Sequence, residues 1–184
     1  VELLTNILSY LNIWLSNIME GYWLTIVLLC LAFIFIRSHK ERLGQWIFTA
    51  NRMYAIIALV AMITYLLLML YNWFGPSAQE YKMFIGYRIL GPWRWVFWLS
   101  FAGVYLLPQL YWIKKLSVFI PLIFIIILLM HADDIVEYYS QAYRDYYTIW
   151  WLPVSEVSPW ITYSSMLLFP LILFVYLYFR NRRR

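Results

Sequence analysis

A single cysteine, Cys30, is all the thiol this chain carries. It cannot close an internal disulfide. With no CxxC or CxxCH anywhere, the sequence excludes a thiolate zinc site, a cysteine-ligated iron–sulfur cluster and covalent c-type haem. Histidine is nearly as scarce, with His39 and His131 alone. Charge is scarce too: charged residues are 12% of the 184, about half the share usual in a soluble domain. Hydrophobic residues reach 65% and mean hydropathy is +0.70. One soluble core of this length cannot hide so much apolar surface, so lipid must cover it. The composition predicts an all-α integral membrane protein.

The net charge of +5 does not imply a nucleic-acid partner, because the basic residues sit in short loops and at the C-terminal end, where membrane topology puts them. The chain begins at Val1, and its first residues lack the basic region and small-residue cleavage site of a signal peptide.

Residues 1–20 mix leucines at helical spacing with Glu2, Asn6, Ser9, Asn12, Asn17 and Glu20. They read as an amphipathic interfacial helix, or as a polar-faced extension of the first span. Residues 21–184 read as a transmembrane bundle of about five helices. The expected spans are about 21–36, 53–73, 95–113, 116–135 and 159–179, with FGPSAQEYK breaking the pattern after the second.

Loop charge orients the bundle. The 37–52 loop holds Arg37, Lys40, Arg42 and Arg52 against Glu41, the next basic turn holds Lys114 and Lys115, and the tail ends in Arg180, Arg182, Arg183 and Arg184. With five spans all three fall on one side, which gives N-terminus out and C-terminus in. Aromatic residues, 22% of the chain, are expected to ring both boundaries: Trp73, Trp93, Trp95 and Trp160 outside, Trp46, Tyr54, Tyr111, Trp112 and Tyr178 inside.

No charged residue falls near the middle of any expected span; the polar groups there are hydroxyls such as Thr25, Thr64, Ser100 and Ser164. Pumps and proton-coupled transporters place an acid or base at that depth, so the sequence argues against a self-contained pump. Near Pro108, which removes a backbone donor and bends its helix, Gln109 is positioned to satisfy the freed carbonyl or to bond a neighbouring helix. Gly91-Pro92 reads as a helix start.

The dense polar constellation is MHADDIVEYYSQAYRDYY, 130–147. His131, Asp134 and Glu137 recur every three residues and share roughly one helix face; Asp133 points elsewhere, and Arg144 and Asp145 follow. Arg88 and Arg94 are natural counter-charges. A histidine with carboxylates where a span leaves the membrane can pass protons or bond a quinol hydroxyl. It can equally be a solvated helix end with ordinary ion pairs. A metal site would need a second histidine nearby, and there is none.

These residues also carry a resemblance. The run 81–116, YKMFIGYRILGPWRWVFWLSFAGVYLLPQLYWIKKL, resembles the NrfD/PsrC-like membrane subunits, and most of all those of alternative complex III. The shared order is an Arg before Gly-Pro-aromatic, a Trp-rich span, Pro-Gln, an aromatic and a Lys pair. Here these are Arg88, Gly91, Pro92, Trp93, Trp95, Trp98, Pro108, Gln109, Trp112, Lys114 and Lys115. The likeness continues more weakly to Arg144-Asp145-Tyr146 and corresponds to the second helical bundle of the family. It implies a cofactor-free membrane subunit of a respiratory quinol:electron-acceptor oxidoreductase in the bacterial inner membrane. A quinol or a proton route would lie near its outer polar cluster, and haem and iron–sulfur centres would sit in partner membrane and periplasmic subunits. A non-catalytic subunit that stabilises a larger membrane assembly is the alternative.

Overall fold

The computed structural model describes residues 2–75, 78–139 and 166–182. Every regular element among them is helical, as the composition requires. The first helix, α1 (Glu2–Phe35), runs 34 residues without a break, about 51 Å at 1.5 Å per residue. The amphipathic stretch that ends at Glu20 and the first apolar run therefore form one rod. A single 3₁₀ turn, Arg37–His39, reverses the chain into α2 (Lys40–Phe74), another 35 residues.

The two rods pack antiparallel along complementary faces. On α1 the buried residues Met19, Tyr22, Ile26 and Cys30 follow one another at three- and four-residue spacing, which is one helix face. On α2 the matching face carries Ala50, Tyr54, Ala58 and Ala61. The alanines let the backbones come close, and Tyr22 stacks on Tyr54 with ring centroids 3.9 Å apart. Both helices are long and apolar enough to cross a membrane. In each, only 28% of the most apolar window is buried, so most of that apolar surface faces outward, as at Leu24, Leu28, Ile63 and Leu67.

Gly75 closes α2, its N–H donating to the Asn72 carbonyl at 3.3 Å. The segment expected to be a break then forms a helix of its own, α3 (Ala78–Leu90). Its 13 residues span about 20 Å and bury Ile85. A turn closed by the Arg94 N–H on the Gly91 carbonyl, 3.2 Å, leads into α4 (Arg94–Phe101). Pro92 occupies the second position of this turn, where its fixed φ is favoured. It thus precedes the helix rather than sitting in its first turn.

The third expected span is not one regular helix. After α4 the chain widens into a π segment, Ala102–Leu106, and then tightens into a 3₁₀ segment, Leu107–Trp112. Two residues account for the change of register. Pro108 lacks the N–H that an α-helix would direct to Val104. Gly103 faces the backbone of the following helix, and a Cβ there would come within 2.6 Å of Leu129 and Met130 backbone atoms.

A short 3₁₀ turn, Leu116–Val118, precedes α5 (Ile120–Met130), whose Pro121 stands in the first turn. The helix stops at Met130, earlier than the expected end near 135, and His131 forms the turn into α6 (Ala132–Tyr139). The last described helix, α7 (Leu168–Arg182), returns to α1. There a side chain at Gly21 would collide with the Met166 carbonyl, and Phe169 packs edge-on to Tyr22 with centroids 5.3 Å apart.

Candidate functional site at the end of α5

The basic segments meet at one end of the bundle. Arg52 donates to the Trp112 carbonyl at 3.3 Å and Arg180 to the Thr49 hydroxyl at 3.3 Å. These contacts bring the start of α2, the Lys114–Lys115 turn and the end of α7 together. His39 is exposed there, beside the Ser38 hydroxyl at 2.8 Å.

A buried polar chain lies above this end. Asn51 donates its amide to the Ser117 carbonyl at 2.6 Å and accepts the Tyr22 hydroxyl at 2.7 Å. The Tyr111 hydroxyl is 3.2 Å from that of Tyr22. A phenol has one proton to give, and Tyr22 gives its own to Asn51 at the shorter distance, so Tyr111 donates to Tyr22. Tyr54 and Tyr111, expected at the membrane boundary, are fully buried instead. Thr25 and Thr64 bond back to their own helix, at Gly21 and Val60. Gln109 donates to the Ala55 and Tyr105 carbonyls, each at 3.2 Å. It therefore ties its segment to α2 and does not cap the carbonyl freed by Pro108.

The expected site residues gather around the turn after α5. The His131 Nδ1 lies 2.9 Å from an Asp134 carboxylate oxygen. The imidazole is 23% exposed and the carboxylate 73%, so the ring faces inward and the acid outward. Trp23 of α1 meets the His131 ring edge-on, centroids 5.4 Å apart, and donates its indole N–H to Glu20 at 2.6 Å. The Ser100 hydroxyl accepts the Asp133 backbone N–H at 3.2 Å and pins the start of α6 to α4.

His131 stands just past the last turn of the apolar helix. The Asp134 hydrogen bond raises its pKa above the ordinary histidine value, burial works in the opposite direction, and the Glu20 carboxylate adds to the rise. With Nδ1–H held by Asp134, the neutral ring presents Nε2 as an acceptor. Nε2 is enclosed and has no partner among the described residues. A basic nitrogen, closed off from solvent and backed by an outward carboxylate, can take a proton from a hydroxyl and pass the charge toward the surface.

The other expected members are placed less uniformly. Asp133 joins the cluster through its backbone. Arg88 lies in the last turn of α3 and, like Asp133, is an electrostatic neighbour of the Tyr65 hydroxyl. Arg94 opens α4 with an exposed side chain and makes no contact with the cluster among the described residues. Glu137 lies within α6; Arg144 and Asp145 fall outside the described residues. Among those residues, no three His, Cys, Asp or Glu side chains converge as metal ligands.

Glu20, Trp23 and Ser100 were not among the expected site residues. Glu20 and Trp23 are three apart on α1, a spacing that places them together, but nothing local links them to a histidine more than a hundred residues on. Comparison with family models, curated proteins and solved structures gives no match.

Proposed function

We propose that this chain is a multi-pass bacterial inner-membrane protein, a subunit of a respiratory quinol:electron-acceptor oxidoreductase whose outer-side His131–Asp134 pair accepts quinol protons. Three things support the reading. The helices expose their apolar faces, which suits lipid and partner helices. The run 81–116 resembles the membrane subunits of such complexes. The observation that carries the chemistry is the enclosed, unpartnered Nε2 of His131 with Asp134 behind it.

A quinol releases two electrons and two protons on oxidation. In this reading the electrons leave to haem and iron–sulfur centres of partner subunits. His131 accepts a hydroxyl proton at Nε2, and Asp134 stabilises the imidazolium and opens the route to water. On this reading the chain itself would hold no redox group.

The test is the quinol-oxidation rate per haem in membranes containing the assembled complex. General-base transfer contributes about 10²–10⁴-fold to a rate. Asp134→Asn, which keeps shape but cannot take a proton, should lower turnover by about tenfold or more. His131→Asn should lower it further while assembly persists. Normal turnover in both variants rejects the proton role and leaves the second reading, a non-catalytic subunit of a larger membrane assembly. That reading is favoured by the bond from Asp133 to Ser100, which fixes α6 on α4, and by the close packing at Gly103, which fixes α5 on the π segment, neither needing any chemistry.

A further inference from the structure

The basic end of the bundle holds a cleft of about 600 Å³ between the start of α2 and the end of α7, lined by Ser38, Arg42, Gln45 and Arg180 among others. A separate apolar groove of about 290 Å³ runs along α1 and α7, where Leu29, Leu173 and Phe174 lie. Trp46 and Leu177 line both and so set the two side by side. Two guanidiniums against one carboxylate, Glu41, give the cleft a cationic balance, and guanidinium is the side chain best matched to phosphate oxygens. The groove offers mostly hydrocarbon, and the indole that lines both favours the level between headgroup and chain.

We propose that the cleft and groove together bind one anionic glycerophospholipid from the surrounding leaflet, its phosphate between Arg42 and Arg180 and an acyl chain along Leu29, Leu173 and Phe174. This rests on the membrane reading given above, but not on the quinol chemistry at the opposite end of α5. Charge complementarity selects an anionic headgroup, and the apolar groove beside the cleft selects a ligand with a hydrocarbon chain over a soluble anion. The bound lipid would join α7 to the α1–α2 pair beside the hydrogen bond that Arg180 donates to the Thr49 hydroxyl.

The experiment uses the full chain, purified in mild detergent, delipidated, and mixed with dioleoyl phosphatidylglycerol or dioleoyl phosphatidylcholine. Retained lipid is counted by native mass spectrometry. Phosphatidylglycerol should be retained in preference to phosphatidylcholine by a factor on the order of ten, given the attraction of a basic side chain for an anionic headgroup. Arg42→Gln, at an exposed position that folding tolerates, should cut that preference several-fold, and adding Arg180→Gln should remove it. Phe174→Ala, which strips hydrocarbon from the exposed wall of the groove without touching the core, should reduce retention of both lipids. Lys114→Gln with Lys115→Gln removes two charges from the same end outside the cleft and should leave the preference intact. Equal retention of both lipids by the wild type, an equal loss in the lysine variant, or displacement of the lipid by millimolar inorganic phosphate would each overturn the proposal. Carbonate extraction of the same membranes is scored separately: a chain released by carbonate contradicts the membrane reading itself, whatever the lipid counts.

Discussion

The Tyr54 hydroxyl lies 3.4 Å from the Val104 carbonyl oxygen, the acceptor four residues behind Pro108 that proline cannot serve. A neighbouring helix thus supplies the donor that the kinked helix lacks. Such substitution is how a proline is accommodated where water is scarce.

Tyr54→Phe keeps the stack on Tyr22 and removes this donor, along with its 3.5 Å contact to the weakly accepting Met130 sulfur, so it should lower stability by roughly 1–3 kcal/mol, chiefly the cost of one unsatisfied buried carbonyl. Pro108→Ala restores a backbone N–H. In that background the same Tyr54→Phe change should cost less. A double-mutant cycle on thermal unfolding in detergent measures the coupling; strict additivity would show that Tyr54 does not serve the proline gap.

Gly103 and Gly86 make opposite predictions. At Gly103 an added methyl meets the α5 backbone at 2.6 Å, whereas at Gly86 it meets nothing within 4 Å. Gly103→Ala should destabilise by about 1–3 kcal/mol through forced separation of the two segments. Gly86→Ala, inside α3, should stabilise by up to about 1 kcal/mol, because alanine is the better helix former. Parallel melts of the two variants decide it, and equal shifts would contradict the packing described at Gly103.

The His131–Asp134 pair carries a pH signature. The folded-state pKa of His131 is raised, so the pair's contribution to stability is complete below the ordinary histidine value, about 6.5. It is lost as pH climbs through the higher folded value. The thermal midpoint should therefore fall more steeply with rising pH above about 6.5 in the wild type than in Asp134→Asn. The effect should be small, since the carboxylate is largely exposed and screened. Identical slopes in the two proteins would contradict the pairing.

Orientation is open to a direct check. Arg52, the Lys114–Lys115 turn and Arg180 share one end of the bundle, the arrangement expected when basic loops stay in the cytoplasm. A reporter that is active only outside the cytoplasm should be silent when fused after Arg184. Strong activity would reverse the assigned topology.

Some of this was legible in the residues. The apolar runs announce two long helices, but the charged 37–52 segment reads as a loop and is helix from Lys40 on, because its polar residues follow a turn of only three residues; the three-residue spacing of His131 and Asp134 announces their contact. Tyr54 and Tyr111 were not legible as core. A tyrosine reads the same whether its ring faces headgroups or a neighbouring helix, and only the alanines at 50, 58 and 61 hint that Tyr54 points inward. The helix α3 was obscured because Gly75-Pro76 signals a break while AQEYKMFIGYRIL is too mixed to suggest a span. The change of register after Phe101 depends on how closely α5 approaches Gly103, a distance no local pattern encodes. The same holds for Glu20, Trp23 and Ser100, which reach the site from other helices.

The one thiol of the chain gives it a built-in reporter. Cys30 is fully buried on the α1 face that includes Tyr22 and Ile26, so a maleimide reaches it only when that face is uncovered. Cysteines placed elsewhere on the surface can be labelled without first removing it. In detergent, modification of Cys30 during unfolding then reports the parting of α1 from the helices around it, with no introduced probe.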